Sequence, residues 1–360
     1  MSAIFGLAGM SASDYQFVRN ADQRAVYDAT VAYTQARMAD MVASARVFVA
    51  GQTEAAKERY FLPGTGFMAR RAEDVRGPAV RPYGSWDAGY TLEDFAERVA
   101  GTDVDIAYMT PEEYQRHVDT ILNRHTARYR QLILYYLLNN TQKTFVDARL
   151  GTITVEPLAN GDSVVYPPVL GSETAATDNH YVVSGYAAAS ISDTNNPLTT
   201  VRDELEEHFG APTGGSNIAC FINNAQRAAF EALTSFEAVE DTYVRAGDNV
   251  NVPINLPTAP GRILGRADGV WVVEWRYVPA NYALAVHLEA EAPLKERVDP
   301  AATGLPRGLQ PVADDPSYPI QTLEFRARYG MGVANRLNGV VIQFKTSGSY
   351  DIPTGYTSLP

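Results

Sequence analysis

Hydrophobic and polar positions change period several times along this chain, and each change marks an element. Between residues 13 and 50, Tyr27, Val31, Thr34, Met38, Met41, Ala45 and Phe48 recur at alternating spacings of four and three, which sets them on one stripe of a helix. Ser13-Asp14 reads as its cap and Gly51 as its stop. Thr110-Pro111-Glu112-Glu113 combines an N-cap, a proline at the first helical position and a capping box. No Gly or Pro then interrupts the chain until Gly151, and Tyr114, Val118, Ile121, Leu122, His125, Tyr129, Leu132, Tyr136 and Leu137 keep helical spacing. This predicts a helix over 111–147, on the order of 50 Å long.

Period-2 and apolar runs follow. Gly151–Pro157 and Ser163–Tyr166 flank Asn160-Gly161-Asp162 and read as a hairpin. Residues 200–209 read as a helix, Ile218–Ile222 as a buried strand followed by the helix 225–233, and Gly269–Trp275 and Tyr282–Val286 as further strands. Near the end, Thr322–Val333 and Leu337–Phe344 flank Gly330-Met331-Gly332 and Asn338-Gly339, and read as one long antiparallel pair.

Residues 58–103 obey no period. Turn formers (Pro63, Gly64, Gly66, Gly77-Pro78, Pro82, Gly84) punctuate extended pieces, and no core can close from them alone. From Arg59 to Pro82 the segment carries Arg59, Arg70, Arg71, Arg76 and Arg81 against Glu73 and Asp74. A basic arm on an acidic chain wants an acidic partner, and the nearest abundant one is another copy of the chain. Phe61, Phe67, Tyr83 and Trp86 are costly to leave bare. We therefore take Arg59, Phe61, Phe67, Arg70, Arg71, Arg76, Arg81, Tyr83 and Trp86 as candidate intersubunit contacts, with the arm packing little on its own domain.

Composition bounds the function. The chain has 360 residues, 46% of them hydrophobic and 20% charged, enough for two or three packed units. A net charge of −12 argues against a nucleic-acid reader. The single cysteine, Cys220, excludes an intramolecular disulfide and fits a reducing cytoplasm, and in its apolar run it reads as a small core residue. No run is long enough to span a membrane. Met1–Gly6 lacks the layout of a signal peptide, and the start at Met1 suggests that no N-terminal propiece has been removed.

Catalytic motifs fail on context. Ser184-Gly185 lacks the Gly-x-Ser-x-Gly elbow, and Gly210–Ser216 carries no Lys and precedes a strand, so neither a triad nor a phosphate loop is predicted. Glu204 and His208 stand one turn apart, a spacing open to a metal, but they read as a solvated helix face. His117 and His125 on the long helix read as structural. We expect no enzyme activity, cofactor or metal.

The order of parts, a helical N-terminal piece, a basic Gly/Pro-rich arm, a very long helix, a βα unit and a final strand pair, resembles the tailed-bacteriophage major capsid protein of the Hong Kong ninety-seven type. The resemblance implies an α+β phage capsid fold: N-terminal arm and helix at 1–57, extended β loop at 58–103, peripheral domain with spine helix at 104–195, axial domain at 196–317, and a return to the peripheral domain with a C-terminal tail at 318–360. It implies self-assembly into hexamers and pentamers of an icosahedral virion shell around double-stranded DNA, built in the host cytoplasm. Scaffolding, portal and decoration proteins and non-specific contact with packaged DNA are the implied partners, with a separate scaffold or none. The N-terminal helix reads either as packing on its own domain or as lying across a neighbouring subunit, and its junction through a loose arm favours the neighbour. The alternatives are an encapsulin-like nanocompartment shell and, from another class, a hydrolase or carbohydrate-binding β protein.

Overall fold

A computed structural model describes residues 17–18, 22–61, 68, 85–99, 103–147, 149–166, 177–209, 217–239, 260–305, 307–313, 319–320 and 323–359. In chain order the elements are α1 (Gln23–Ala45), β1 (Val49–Thr53), β2 (Lys57–Phe61), β3 (Ser85–Gly89), β4 (Glu93–Arg98), α2 (Asp103–Tyr108), α3 (Pro111–Leu138), β5 (Lys143–Asp147), β6 (Gly151–Val155), β7 (Tyr181–Val183), α4 (Pro197–Phe209), β8 (Ile218–Ile222), α5 (Arg227–Glu231), β9 (Glu237–Ala238), β10 (Arg262–Ala267), β11 (Val270–Glu274), β12 (Tyr282–His287), β13 (Leu294–Val298), β14 (Gln310–Ala313), β15 (Leu323–Val333) and β16 (Val340–Gln343). No described helix is long and apolar enough to cross a membrane.

α1 starts where the Asp22 carboxylate accepts from the amides of Arg24 and Ala25 at 3.1 and 3.4 Å. Ser13 and Asp14 lie outside the described residues. The predicted stripe is real but turned: Val26, Thr30, Thr34 and Ala45 are buried, with Tyr27, Met38 and Met41 packed beside them. Thr30 Oγ1 meets the Tyr114 hydroxyl at 3.1 Å, and the Tyr33 hydroxyl donates to Asp119 at 2.7 Å. The helix therefore lies on α3 of its own chain, contrary to the expectation of a neighbour.

α3 opens with the predicted capping box, Thr110 and Glu113 each serving the other's amide. It ends at Leu138, not at 147. Asn139 turns extended, its Oδ1 accepts from the Thr141 amide at 3.0 Å, and its Nδ2 donates to the Tyr356 carbonyl at 2.8 Å. Thr144, Phe145 and Val146, β-formers by nature, then pair with Thr154, Ile153 and Thr152. That pairing also replaces the predicted hairpin: β6 takes β5 as its partner, and Asn160 bridges Asn179 instead.

Two large sheets carry the chain. The seven-stranded one runs β7-β16-β12-β8-β11-β10-β9. The five-stranded one runs β1-β13-β15-β14, with β4 on the other side of β15. Segment 196–317 thus divides between them, giving β8 to β12 to the first and β13 and β14 to the second.

β15 and β16 do not pair, and the physical reason lies in their glycines. A Cβ on Gly330 would fall 2.1 Å from the Thr91 carbonyl oxygen, and one on Gly332 would fall 2.1 Å from that of Gly89. These glycines let another backbone cross mid-strand; they do not make a turn. Residues 334–339 then carry the chain from one sheet to the other. Arg336 anchors this crossing wholly buried, its Nε donating to the Pro157 carbonyl at 2.7 Å and its Nη2 to Asp162 at 2.6 Å. Asn338 brackets His287, accepting from its amide at 2.8 Å and donating to its carbonyl at 3.0 Å.

The seven-stranded sheet separates two cores. Ala219 and Phe221 of β8 face the core shared with α3, Phe48 and Trp275. Ile218, Cys220 and Ile222, the alternate positions, face the core under α4 and α5, with Leu198, Val201, Leu205 and Phe230.

Candidate assembly surfaces and a buried histidine cluster

β2 and β3 form a two-stranded hairpin outside both large sheets. Its root is locked into the body. Thr91 bonds Met331 through backbone and hydroxyl at 3.2 to 3.3 Å, where Gly330 and Gly332 clear the way. Glu58 gathers hydrogen bonds from Thr53 and Tyr60 at 2.7 Å, from Tyr90 at 3.0 Å and from Lys295 at 3.3 Å. Burial pushes the Glu58 carboxyl up, but these four donors outweigh it and hold the group down at about 2. Buried Arg297 donates to the Tyr90 carbonyl and to Asp147, each at 3.1 Å, and so ties this hairpin to that of β5 and β6.

Trp86 stacks on Tyr60 at 5.4 Å, tilts against Tyr166 at 5.9 Å and donates its Nε1 to the Ala334 carbonyl at 3.3 Å. β4 pairs along β15 from Glu93 to Arg98. Residues 85–99 therefore pack on their own chain, against the expectation that the whole arm stays clear of it. Trp86 finds partners at home because the glycine crossing brings the arm's return strand back through the body. Arg59 likewise closes within the hairpin, its Nε and Nη2 donating to Asp87 at 2.6 and 3.0 Å, with Lys57 on the same carboxylate at 2.7 Å. Phe67, Arg70, Arg71, Arg76, Arg81 and Tyr83 lie outside the described residues.

The hairpins also leave large apolar side chains uncovered. Phe61 at the far end of β2 is 70% exposed. On the second hairpin, Val146 and Leu150 are 74% and 62% exposed across a turn capped by Asp147, whose Oδ1 accepts from the amides of Arg149 and Leu150. Val104 and Tyr108 on α2 are exposed as well. Sequence reading missed Val146 and Leu150, since helical periodicity ran straight through 138.

Burial pushes the Cys220 thiol up to about 12, so it stays a thiol in the core. Burial among Tyr129 and Tyr329 pushes His125 down to about 4.

One cluster departs from expectation. His208 is not on a solvated face: its side chain is 4% exposed, and its Nε2 lies 2.7 Å from Asp178 Oδ2. The Nε2 of His180, on a side chain with no exposure, lies 2.6 Å from the same oxygen. Glu204 and Glu207, on the same helix as His208, bring carboxylate oxygens to within 4.8 Å of Asp178 and of each other. Burial pushes both glutamates up. Asp178 and His180 carried no motif, and only the folded chain brings them beneath α4.

No family model matches the sequence, and no curated protein does. Solved structures do match. A chain of Mycobacterium phage Patience is 19% identical, with 96% of this chain and 97% of that one covered at a TM-score of 0.65. The capsid of Ralstonia phage GP4 is 11% identical, with 82% and 85% covered at 0.48. The capsid of the cyanophage P-SCSP1u is 11% identical, with 84% and 87% covered at 0.48. The first likeness, running nearly end to end on both chains, shows the architecture: this is an α+β protein with the fold of the phage Patience chain.

Proposed function

We propose that this chain is the major capsid protein of a tailed phage, whose copies assemble into hexamers and pentamers of an icosahedral shell around double-stranded DNA. The observation that carries the reading is the end-to-end likeness to the phage Patience chain. The bare apolar side chains on the projecting hairpins support it, because a protein that works alone gains nothing by leaving them in water. The function is then the shape, and no bond is made or broken by the chain. The spine helix and five-stranded sheet form the peripheral part, and the seven-stranded sheet forms the part that gathers at the capsomer axis. The arm overlaps a neighbouring subunit, with Phe61, Phe67 and Tyr83 covered there and Arg70, Arg71, Arg76 and Arg81 meeting its carboxylates. Scaffolding, portal and decoration proteins are the further partners, packaged DNA is touched non-specifically, and the virion is the final location.

Electron microscopy of the protein, expressed alone and with the genes that flank its own, tests this. Closed angular particles are expected, enclosing DNA when the flanking genes are present. Small oligomers under both conditions overturn the reading, and particles filled with an enzyme instead of DNA assign a nanocompartment.

A further inference from the structure

The cluster beneath α4 has a feature that protein atoms alone do not resolve. His180 Nδ1 sits 2.8 Å from the Gly339 carbonyl oxygen, which can only accept, so Nδ1 carries the proton. In the neutral ring Nε2 is then a bare lone pair. It lies 2.6 Å from a carboxylate oxygen, yet no hydrogen bond joins them, because that oxygen is off the direction in which a ring N–H points. A wholly buried acceptor thus faces another acceptor with nothing correctly placed between them.

The surroundings deepen the conflict. Asp178, Glu204 and Glu207 crowd one another, and among the described residues no Lys or Arg forms an ion pair with any of them. Half-buried carboxylates that crowd one another repel, and a nearby cation relieves the repulsion. What would satisfy every group at once is a cation held by two imidazole nitrogens and one or more carboxylate oxygens. The bond from His180 Nδ1 to the Gly339 carbonyl is the outer contact that orients a ligating imidazole.

We propose that Asp178, His180 and His208, completed by Glu204 or Glu207, bind a divalent ion of the zinc class. Two imidazoles with carboxylates suit zinc and its first-row neighbours far better than calcium or magnesium, which take oxygen ligands. A tetrahedral ion with bonds of about 2.0 Å spaces its ligands about 3.3 Å apart. The Asp178 carboxylate therefore has to swing outward by less than about 1 Å to admit it. The role is structural. Asp178 and His180 lead into β7, the edge strand of the seven-stranded sheet, while Glu204, Glu207 and His208 form the last turns of α4. The ion staples that helix to the sheet edge, beside the chain crossing at Gly339. This inference stands apart from the assembly role, since it concerns the stability of a single subunit.

The test uses the full chain, stripped with EDTA and then dialysed against zinc, with bound metal measured by plasma mass spectrometry. One zinc per chain is expected, with a melting temperature that falls on stripping and recovers with zinc. Cobalt(II) in place of zinc should give the visible absorption of a four-coordinate site. H208Q and D178N should each weaken zinc binding at least about tenfold. H180Q can lose its fold through burial alone, so H208Q and D178N decide the matter, with E207Q as a milder variant of the same site. Fewer than about one zinc per ten chains in the parent, or zinc retained undiminished by both H208Q and D178N, overturns the proposal. So does a melting temperature that follows pH identically with and without zinc, which assigns the cluster to a shared proton.

Discussion

Two arginine–aspartate pairs in this molecule have the same closest approach, 2.6 Å, and opposite standing. Arg336 meets Asp162 in the crossing between the sheets with no exposure of its side chain, whereas Arg59 meets Asp87 on the projecting hairpin with its side chain 57% exposed. In the crossing, the guanidinium also serves the Pro157 and Leu158 carbonyls, which have no water to turn to. On the hairpin, solvent competes for every bond. Burial, not distance, sets what each pair is worth: the first holds the subunit together, and the second leaves the hairpin's stability nearly untouched and its surface free for a neighbour.

The sharpest way to break this comparison is Arg336→Met. Removing one partner of a buried pair costs about 3–5 kcal/mol, a large part of the roughly 5–15 kcal/mol that holds a typical domain. Chemical denaturation should show a loss of about 3–5 kcal/mol, and a loss under about 1 kcal/mol refutes the assignment. Gly330→Ala follows, because its Cβ would strike the Thr91 carbonyl and backbone must shift. A cost of about 1–3 kcal/mol is expected, with faster amide exchange at Thr91 and Met331.

Acid probes the buried side in a different way. His125 titrates at about 4 in the fold, against about 6.5 when unfolded. Between those values the unfolded chain holds more protons, so this residue's contribution is complete above pH 6.5 and is lost as pH falls toward 4, by about 3 kcal/mol in all. His125→Leu should flatten the stability profile in that window, and an unchanged profile counts against the burial argument.

At the exposed end, Arg59→Gln should leave the denaturation midpoint nearly unchanged, and the small difference should shrink as salt rises. Phe61→Ser combined with Val146→Ser and Leu150→Ser should leave the subunit's melting temperature within about a degree or two, yet abolish particles in light scattering. Normal assembly of the triple variant would mean that the hairpins' bare faces are not the contacts.

Legibility in the sequence tracked the range of the forces involved. The start of α3 was legible because Thr110, Pro111 and Glu113 act within one turn, and Ile218–Ile222 and Val270–Glu274 were legible because each is an apolar run closed by its own flanks. These local signals determined most of the helices and strands, the exclusion of catalytic motifs, and a resemblance to capsid proteins drawn from the order of the parts. Tertiary structure alone decided the rest. α3 stops at Leu138 because Tyr356, far along the chain, and β6, just past the next turn, offer Asn139 and Val146 better partners than another turn of helix. Gly330 and Gly332 look like turn formers until the backbone of 89–91 is laid across them. His208 looks solvated until Asp178 and His180, about thirty residues earlier, are folded beneath it. A residue's neighbours in sequence set its local conformation, but burial and charge are set by whichever distant segments the fold brings against it, and no period in the sequence records that.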